Sequence, residues 1–172
     1  MPTYASTMRK SAYPSPLGAM TLAATDAGLA GAWFDDQRHM PDTAGWPSAP
    51  RDAVLRRAAD QLGEYFDARR DAFDLPLDLG SGTTFQQMVW QALLRIPFGG
   101  NTTYSALSSS IGKAAAVRAT GSAIGRNPLG IIVPCHRVLG ADGSLTGYAG
   151  GLERKAALLR LEARKTPATL SA

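Results

Sequence analysis

Cys135 is the one cysteine in a chain of 172 residues, and it stands in the run Ile131-Ile132-Val133-Pro134-Cys135-His136-Arg137-Val138. A thiol is nucleophilic as its thiolate, which nearby cations or a helix N-terminus favour. His136 could act as a base and Arg137 as a fixed positive charge. Pro134 suits the first turn of a helix, which would aim backbone N–H groups and the helix dipole at the sulfur. An unpaired cysteine is also commonly a small buried apolar side chain. A Cys-His pair by itself does not decide between the two.

The length fits one domain or two small ones, and 45% hydrophobic residues suffice for a packed core. No apolar stretch approaches the roughly 20 residues that span a bilayer. The segment Met1 to Ser11 lacks the apolar core of a secretory signal. A single cysteine leaves no internal disulfide and no four-cysteine zinc site, so a cytoplasmic protein with a free thiol is expected. The net charge of +4 is uneven: residues 1–84 carry 8 Lys and Arg against 11 Asp and Glu, and residues 85–172 carry 10 against 3. The basic half, which holds Cys135, suits a polyanionic partner. A solvated positive face would have the same composition.

Several elements must position this cysteine. Ala12 to Phe34 reads as a small meander of strands, turning at Ser15-Pro16-Leu17-Gly18 and Asp26-Ala27-Gly28. Val54, Leu55, Ala58, Leu62 and Phe66 recur at helical spacing, which predicts a helix over Asp52 to Phe66. Phe73, Leu75, Leu77 and Leu79 alternate as in an exposed strand. Beyond Gly80-Ser81-Gly82, Thr83 or Thr84 caps a helix with Phe85, Val89, Ala92 and Leu93 on one face. Thr102 or Thr103 caps Tyr104 to Ile111, Gly112-Lys113 turns, and Ala115 to Gly125 is helical, together a helix-turn-helix pattern. The small residues of its second helix suit either close approach to another surface or tight internal packing. A last helix runs from Leu152 to about Lys165, with Leu152, Ala156, Leu159 and Ala163 as its apolar stripe. Glu162 lies on or beside that stripe, and a carboxylate there needs a partner. The expected class is α/β (α+β): a scaffold over residues 1–80 with a small antiparallel sheet and a helix, then a mainly helical unit over 81–172.

Pro134-Cys135-His136-Arg137-Val138, preceded by Arg126-Asn127-Pro128 and followed by Gly147-Tyr148-Ala149-Gly150-Gly151-Leu152, resembles the O6-alkylguanine-DNA alkyltransferases, or methylated-DNA–protein-cysteine methyltransferases. The likeness runs from Thr84 to Glu162, with a looser match before it, and the ordered motifs reinforce one another. The resemblance implies a ribonuclease H-like N-terminal unit and a stoichiometric repair reaction. Cys135 would take the alkyl group from O6 of a damaged guanine, with O4-alkylthymine as a second candidate substrate. His136, held by Glu162, would take the thiol proton through a water. Glu162 could instead serve a structural ion pair with an arginine, and Arg137 could bridge the two units.

The implied partner is double-stranded DNA with alkylated bases, entered through the minor groove by the helix-turn-helix. Acting on a base requires taking it out of the stack. Arg118 would fill the gap left by the extruded nucleotide, with Thr103, Tyr104, Ala119, Gly121 and Ser122 along the backbone. Tyr104 would also turn the phosphate or donate to the guanine. Asn127 would tie the helix-turn-helix to the cysteine loop, and the pocket would comprise Ile124, Val138, Tyr148, Ala149 and Gly150. Residues 1–80 lack the Cys/His cluster by which some relatives bind zinc, so no metal and no other cofactor is expected. The protein is expected to be a monomer, with cooperative binding along DNA left undecided. The rival implied by the same resemblance is an alkyltransferase-like protein that binds such lesions without repairing them; in those proteins another residue replaces the cysteine.

Overall fold

Three strands joined by two-residue turns open the computed structural model, which describes residues 7–165. Residues 1–6, part of the segment read for a secretory signal, and residues 166–172, the end of the helical unit, lie outside it. Strands β1 (Arg9–Ser15), β2 (Gly18–Thr25) and β3 (Gly28–Phe34) form an antiparallel meander. β1 starts before Ala12 because Arg9, paired with Ala24 across the ladder, is anchored by Asp26 and Asp52. Asp52 in turn caps α1 (Ala53–Phe66), accepting from the backbone N–H of Val54 and Leu55, both at 3.0 Å. Leu55, Ala58, Leu62 and Tyr65 are the buried residues by which this helix joins the core.

β3 is an edge strand of the meander, yet all of it is buried. Two later segments cover its open edge, which removes an aggregation-prone row of unpaired backbone groups. Leu29 N–H donates to Pro76 O at 2.8 Å and Asp78 N–H to Leu29 O at 2.7 Å. Ala32 N–H donates to Pro128 O at 2.8 Å and Gly130 N–H to Ala32 O at 3.0 Å. Gly28 makes the first approach possible: at φ +150° a Cβ there would lie 2.6 Å from Pro76 O. The expected strand over Phe73 to Leu79 is absent, reduced to one bridge between Leu29 and Leu77. Pro76 has no N–H to continue a ladder. The alternation survives as packing: Phe73, Leu75 and Leu77 lie half-buried against the core.

The helical part follows. Thr83, not Thr84, caps α2 (Thr84–Leu93) through a capping box with Gln86. Thr103 caps α3 (Tyr104–Ser110), accepting from Ala106 N–H at 3.1 Å. The next helix begins later than Ala115. A 3₁₀ turn at Ala114–Ala116 leads into α4 (Val117–Gly125), because no side chain there caps an earlier start. Gly112, at φ +73°, makes the turn between α3 and α4. Ser108 and Thr120, both fully buried, meet hydroxyl to hydroxyl at 3.0 Å and fasten the two helices. Trp90 Nε1 donates to Ala123 O at 2.8 Å and ties α2 to α4.

Thr102–Thr103 (β4) pairs in parallel with Val138–Leu139 (β5), which sets the start of α3 beside the cysteine turn. α5 (Leu152–Lys165) buries a different stripe from the one its apolar residues predict. Among its described residues Lys155, Leu158 and Glu162 are buried, whereas Leu152 and Ala163 are exposed. Two of the three inward positions are charged, so hydrophobic spacing points to the neighbouring face.

Candidate active site

A chain of tight backbone turns delivers Cys135. Val133 N–H donates to Leu129 O, Ile132 N–H to Gly130 O and Cys135 N–H to Val133 O, each at 2.8 Å. Ile131 sits at φ +71°, a costly conformation for a β-branched residue. The buried Asn127 side chain holds the loop: Nδ2 donates to Val133 O at 2.8 Å, and Oδ1 accepts from Leu129 N–H at 2.9 Å. Asn127→Ala leaves both groups unpaired and is expected to cost about 2 kcal/mol. Calorimetry should read this as a fall in Tm of roughly 5 °C for a chain of this size; an unchanged Tm would deny the brace.

The proline-led helix expected at Cys135 is a single 3₁₀ turn, Cys135–Arg137, with Pro134 before it. So short a turn has little dipole, and the Cys135 N–H is already spent on Val133. The thiol is therefore not depressed as expected. Burial pushes it up, offset in part by the Asn127 amide and the positive charge of Lys155. The sulfur is not sealed away: Cys135 lines a cavity of about 400 Å³ with Tyr104, Gly121, Ser122, Ile124, Gly125, Arg126, Gly147, Tyr148 and Ala149, and Arg38 and His39 line it too.

Behind the cysteine lies a buried network centred on Glu162. Its Oε2 meets His136 Nε2 at 2.6 Å and accepts from Tyr65 Oη at 2.7 Å and an Arg137 terminal nitrogen at 3.0 Å. Its Oε1 accepts from Arg137 Nε at 2.8 Å. Glu162 thus contacts the histidine and pairs with the arginine at once. Burial alone would raise its carboxyl, but the donors from His136, Arg137 and Tyr65 hold it down to about 2. Burial lowers His136, against the pull of Glu162, so the ring is neutral near pH 7. An ionised carboxylate only accepts, which puts the imidazole proton on Nε2 and leaves Nδ1 as the basic atom. Nδ1 is buried and has no hydrogen-bond partner among the described residues. Arg137 does not serve the sulfur as a free cation. It donates to Ile96 O at 2.7 Å as well as to Glu162, and lies over the Phe98 ring.

The other expected site residues separate into three groups. Tyr104, Gly121, Ser122, Ile124, Tyr148 and Ala149 line the cavity with Cys135. The Tyr104 hydroxyl donates to Thr146 O at 2.8 Å, so its proton is engaged in this state. Arg118 and Ala119 are exposed on α4, outside the cavity; with Ser122 exposed and Gly121 half-buried, that face of the helix is open rather than packed internally. Val138, Asn127, Gly150 and Thr103 stand behind or beside the lining. Val138 is fully buried, and its carbonyl accepts from Lys155 Nζ at 2.5 Å. Gly150 leaves room for its neighbours: a Cβ there would lie 2.8 Å from the Tyr148 ring and 3.2 Å from Phe34.

Sequence reasoning missed Tyr65, Lys155, Arg38 and His39. Lys155, fully buried, also donates to Thr146 O at 2.8 Å and Gly147 O at 3.2 Å, which pins the loop before α5 to the cysteine turn. Its spacing of seven from Glu162 marks the shared inner face of α5, a signal that was available. Tyr65 and the Arg38-His39 pair had none, since they reach the site from far away in sequence.

Fold and site together define a class. Family models for the 6-O-methylguanine DNA methyltransferase match in two parts, the ribonuclease-like domain over residues 8–79 and the DNA binding domain over residues 84–164. The chain belongs to this family. A methylated-DNA–protein-cysteine methyltransferase of Mycolicibacterium paratuberculosis is 47% identical over 91% of this chain and 93% of its own length. One from Methanosarcina barkeri is 46% identical over 86% of this chain and 92% of its own. The crystal structure of Mycobacterium tuberculosis OGT in complex with DNA aligns with a TM-score of 0.83 at 44% identity, covering 95% of this chain and 97% of that one. These relatives carry the name of a transferase, which sets aside the reading of lesion binding without transfer.

Proposed function

We infer that this chain repairs DNA by direct reversal, moving the alkyl group of an O6-alkylguanine onto Cys135, once per molecule. The observation that carries this reading is the lone cysteine on the floor of an open cavity, next in sequence to a buried histidine that meets a buried carboxylate at 2.6 Å. Burial keeps the sulfur protonated until a lesion fills the cavity. The proton then passes through a water to Nδ1 of His136, the imidazolium being stabilised by Glu162. As the S–C bond forms, the C–O6 bond breaks, and the guanine leaves with the electron pair and is reprotonated. The sulfur keeps the alkyl group as a thioether, so each molecule works once. Tyr104 serves the departing base by exchanging Thr146 O for the ring. Residues 1–80 act as scaffold and 81–172 as the binding and transfer unit, working as a monomer in the cytoplasm.

Incubation with a duplex bearing one labelled O6-methylguanine tests the reading. The label should appear on the Cys135 peptide at no more than one equivalent, and turnover beyond that would exclude it. The minor-groove approach of α3 and α4 is supported by the open face of α4, where Arg118 has no partner among the described residues. A planar, permanently charged guanidinium can stack and hydrogen-bond in place of a lost base. Arg118→Ala is expected to slow transfer from duplex at least tenfold, on the few kcal/mol that extrusion costs. Transfer from the free base should change far less, and equal losses on both would deny that role.

A further inference from the structure

The cavity that holds Cys135 is not built by the helical half alone. Arg38 and His39, just beyond β3 in the acidic half, line it together with Arg126 at the end of α4. All three are exposed, whereas Cys135 and Ile124 are buried, so two guanidinium groups and an imidazole stand at the mouth and the sulfur at the floor. The turn that carries the first two is fixed. Gln37 Oε1 accepts from Phe34 N–H at 2.9 Å, and Arg38 N–H donates to Ala149 O at 3.0 Å, which docks the turn on the cavity wall. His39 is held at φ +60°, a left-handed conformation that persists only where the surroundings impose it.

Among the described residues that line this cavity none is acidic. The nearby acids are turned to other work: Asp35 accepts from Thr21 Oγ1 at 2.8 Å, and Asp36 pairs with Arg154 at 2.7 Å. Neither the Arg38 nor the Arg126 guanidinium has a partner among the described residues. Burial and the charges of Arg126 and Arg38 all lower the His39 pKa, which reports how closely the three groups crowd. Like charges gathered at a concave mouth attract an anion of suitable size, and arginine binds phosphate with particular directionality. A nucleotide whose base has entered the cavity brings such an anion with it.

Resting on the repair reading above, we propose that Arg38, His39 and Arg126 grip the backbone phosphate beside the extruded nucleotide. The acidic half then contacts DNA directly, and the base is presented to Cys135 by a clamp drawn from both halves. A free base, which has no phosphate, gains little from it.

Arg38→Ala tests the proposal, with Arg51→Ala as an equal loss of charge at an exposed residue that does not line the cavity. Arg38 is exposed and its docking bond is a backbone one, so folding should survive. At limiting protein concentration, Arg38→Ala should reduce transfer from methylated duplex roughly tenfold more than transfer from free O6-methylguanine. The slope of log affinity for duplex against log salt should fall by about one. Arg38→Lys should recover part of the loss, and Arg51→Ala should change duplex transfer by no more than about twofold. Equal losses on duplex and base, an unaltered salt slope, or an Arg51→Ala effect as large as that of Arg38→Ala would each overturn the clamp. If the unaltered protein leaves the duplex methylated, it is the alkyl-transfer reading that fails, and the salt slope of duplex binding still decides the clamp.

Discussion

Glu162→Ala is expected to destabilise the protein by about 4 kcal/mol and to slow alkyl transfer by at least ~10²-fold. The stability loss follows from what the substitution strands. Arg137 keeps Ile96 O and the Phe98 ring but loses the carboxylate that neutralises it, while the Tyr65 hydroxyl and His136 Nε2 lose their acceptor. Removing one member of a buried ion pair costs far more than the pair is worth, because the remaining charge stays out of water. The rate loss follows from the histidine: without Glu162 nothing fixes its proton on Nε2 or steadies the imidazolium.

The pH response separates the two effects. In the folded chain the Glu162 carboxyl lies at about 2, and in an unfolded chain a glutamate lies near about 4.3. Since the folded value is the lower, the stabilisation is whole above about pH 4.3 and is lost as pH falls towards 2, about 3 kcal/mol in all. His136 acts in the same direction at higher pH. Its folded value is depressed, so acid below its ordinary value of about 6.5 favours the unfolded chain. Urea midpoints between pH 7 and pH 3 should fall steeply for the unaltered protein and more gently for Glu162→Ala. Parallel curves would place the acid lability elsewhere.

How much of this was legible beforehand depended on distance along the chain. The meander, α1 and a threonine cap before α2 are local patterns, and the residues that make them lie within a few positions of one another. The cysteine motif is local too, so Cys135, His136 and their link to Glu162 were within reach of sequence and family resemblance. Local features also misled. The Phe73–Leu79 alternation looked like a strand because side-chain pattern does not register that Pro76 lacks an N–H. The stripe on α5 went to the wrong face because hydrophobic spacing cannot see a lysine caged by three carbonyls. What spans the two halves left no local trace: Tyr65 reaches Glu162 across 97 positions, and Arg38 meets Ala149 only after β3 has docked on the cysteine loop.

Cys135→Ala is expected to abolish transfer altogether while leaving lesion binding within about threefold of the unaltered protein, since the substitution removes one atom and no charge. The cavity that admits the base is made by other residues, and the loop beneath the sulfur is held by backbone turns and by Asn127, neither of which uses the thiol. Folding should be nearly unaffected, as a small side chain replaces another at a position that is only 8% exposed. The reading is by intact mass after incubation with methylated duplex: the unaltered protein gains one CH₂, a methyl entering as a proton leaves, and Cys135→Ala gains nothing. Cys135→Ser sharpens the test. A hydroxyl in this buried setting resists ionisation far more than a thiol, so a neighbouring histidine of lowered pKa cannot make it an anion at neutral pH. Methyl gained by either variant would move the nucleophile to another residue, and the His136–Glu162 pair would then have to be explained as architecture alone.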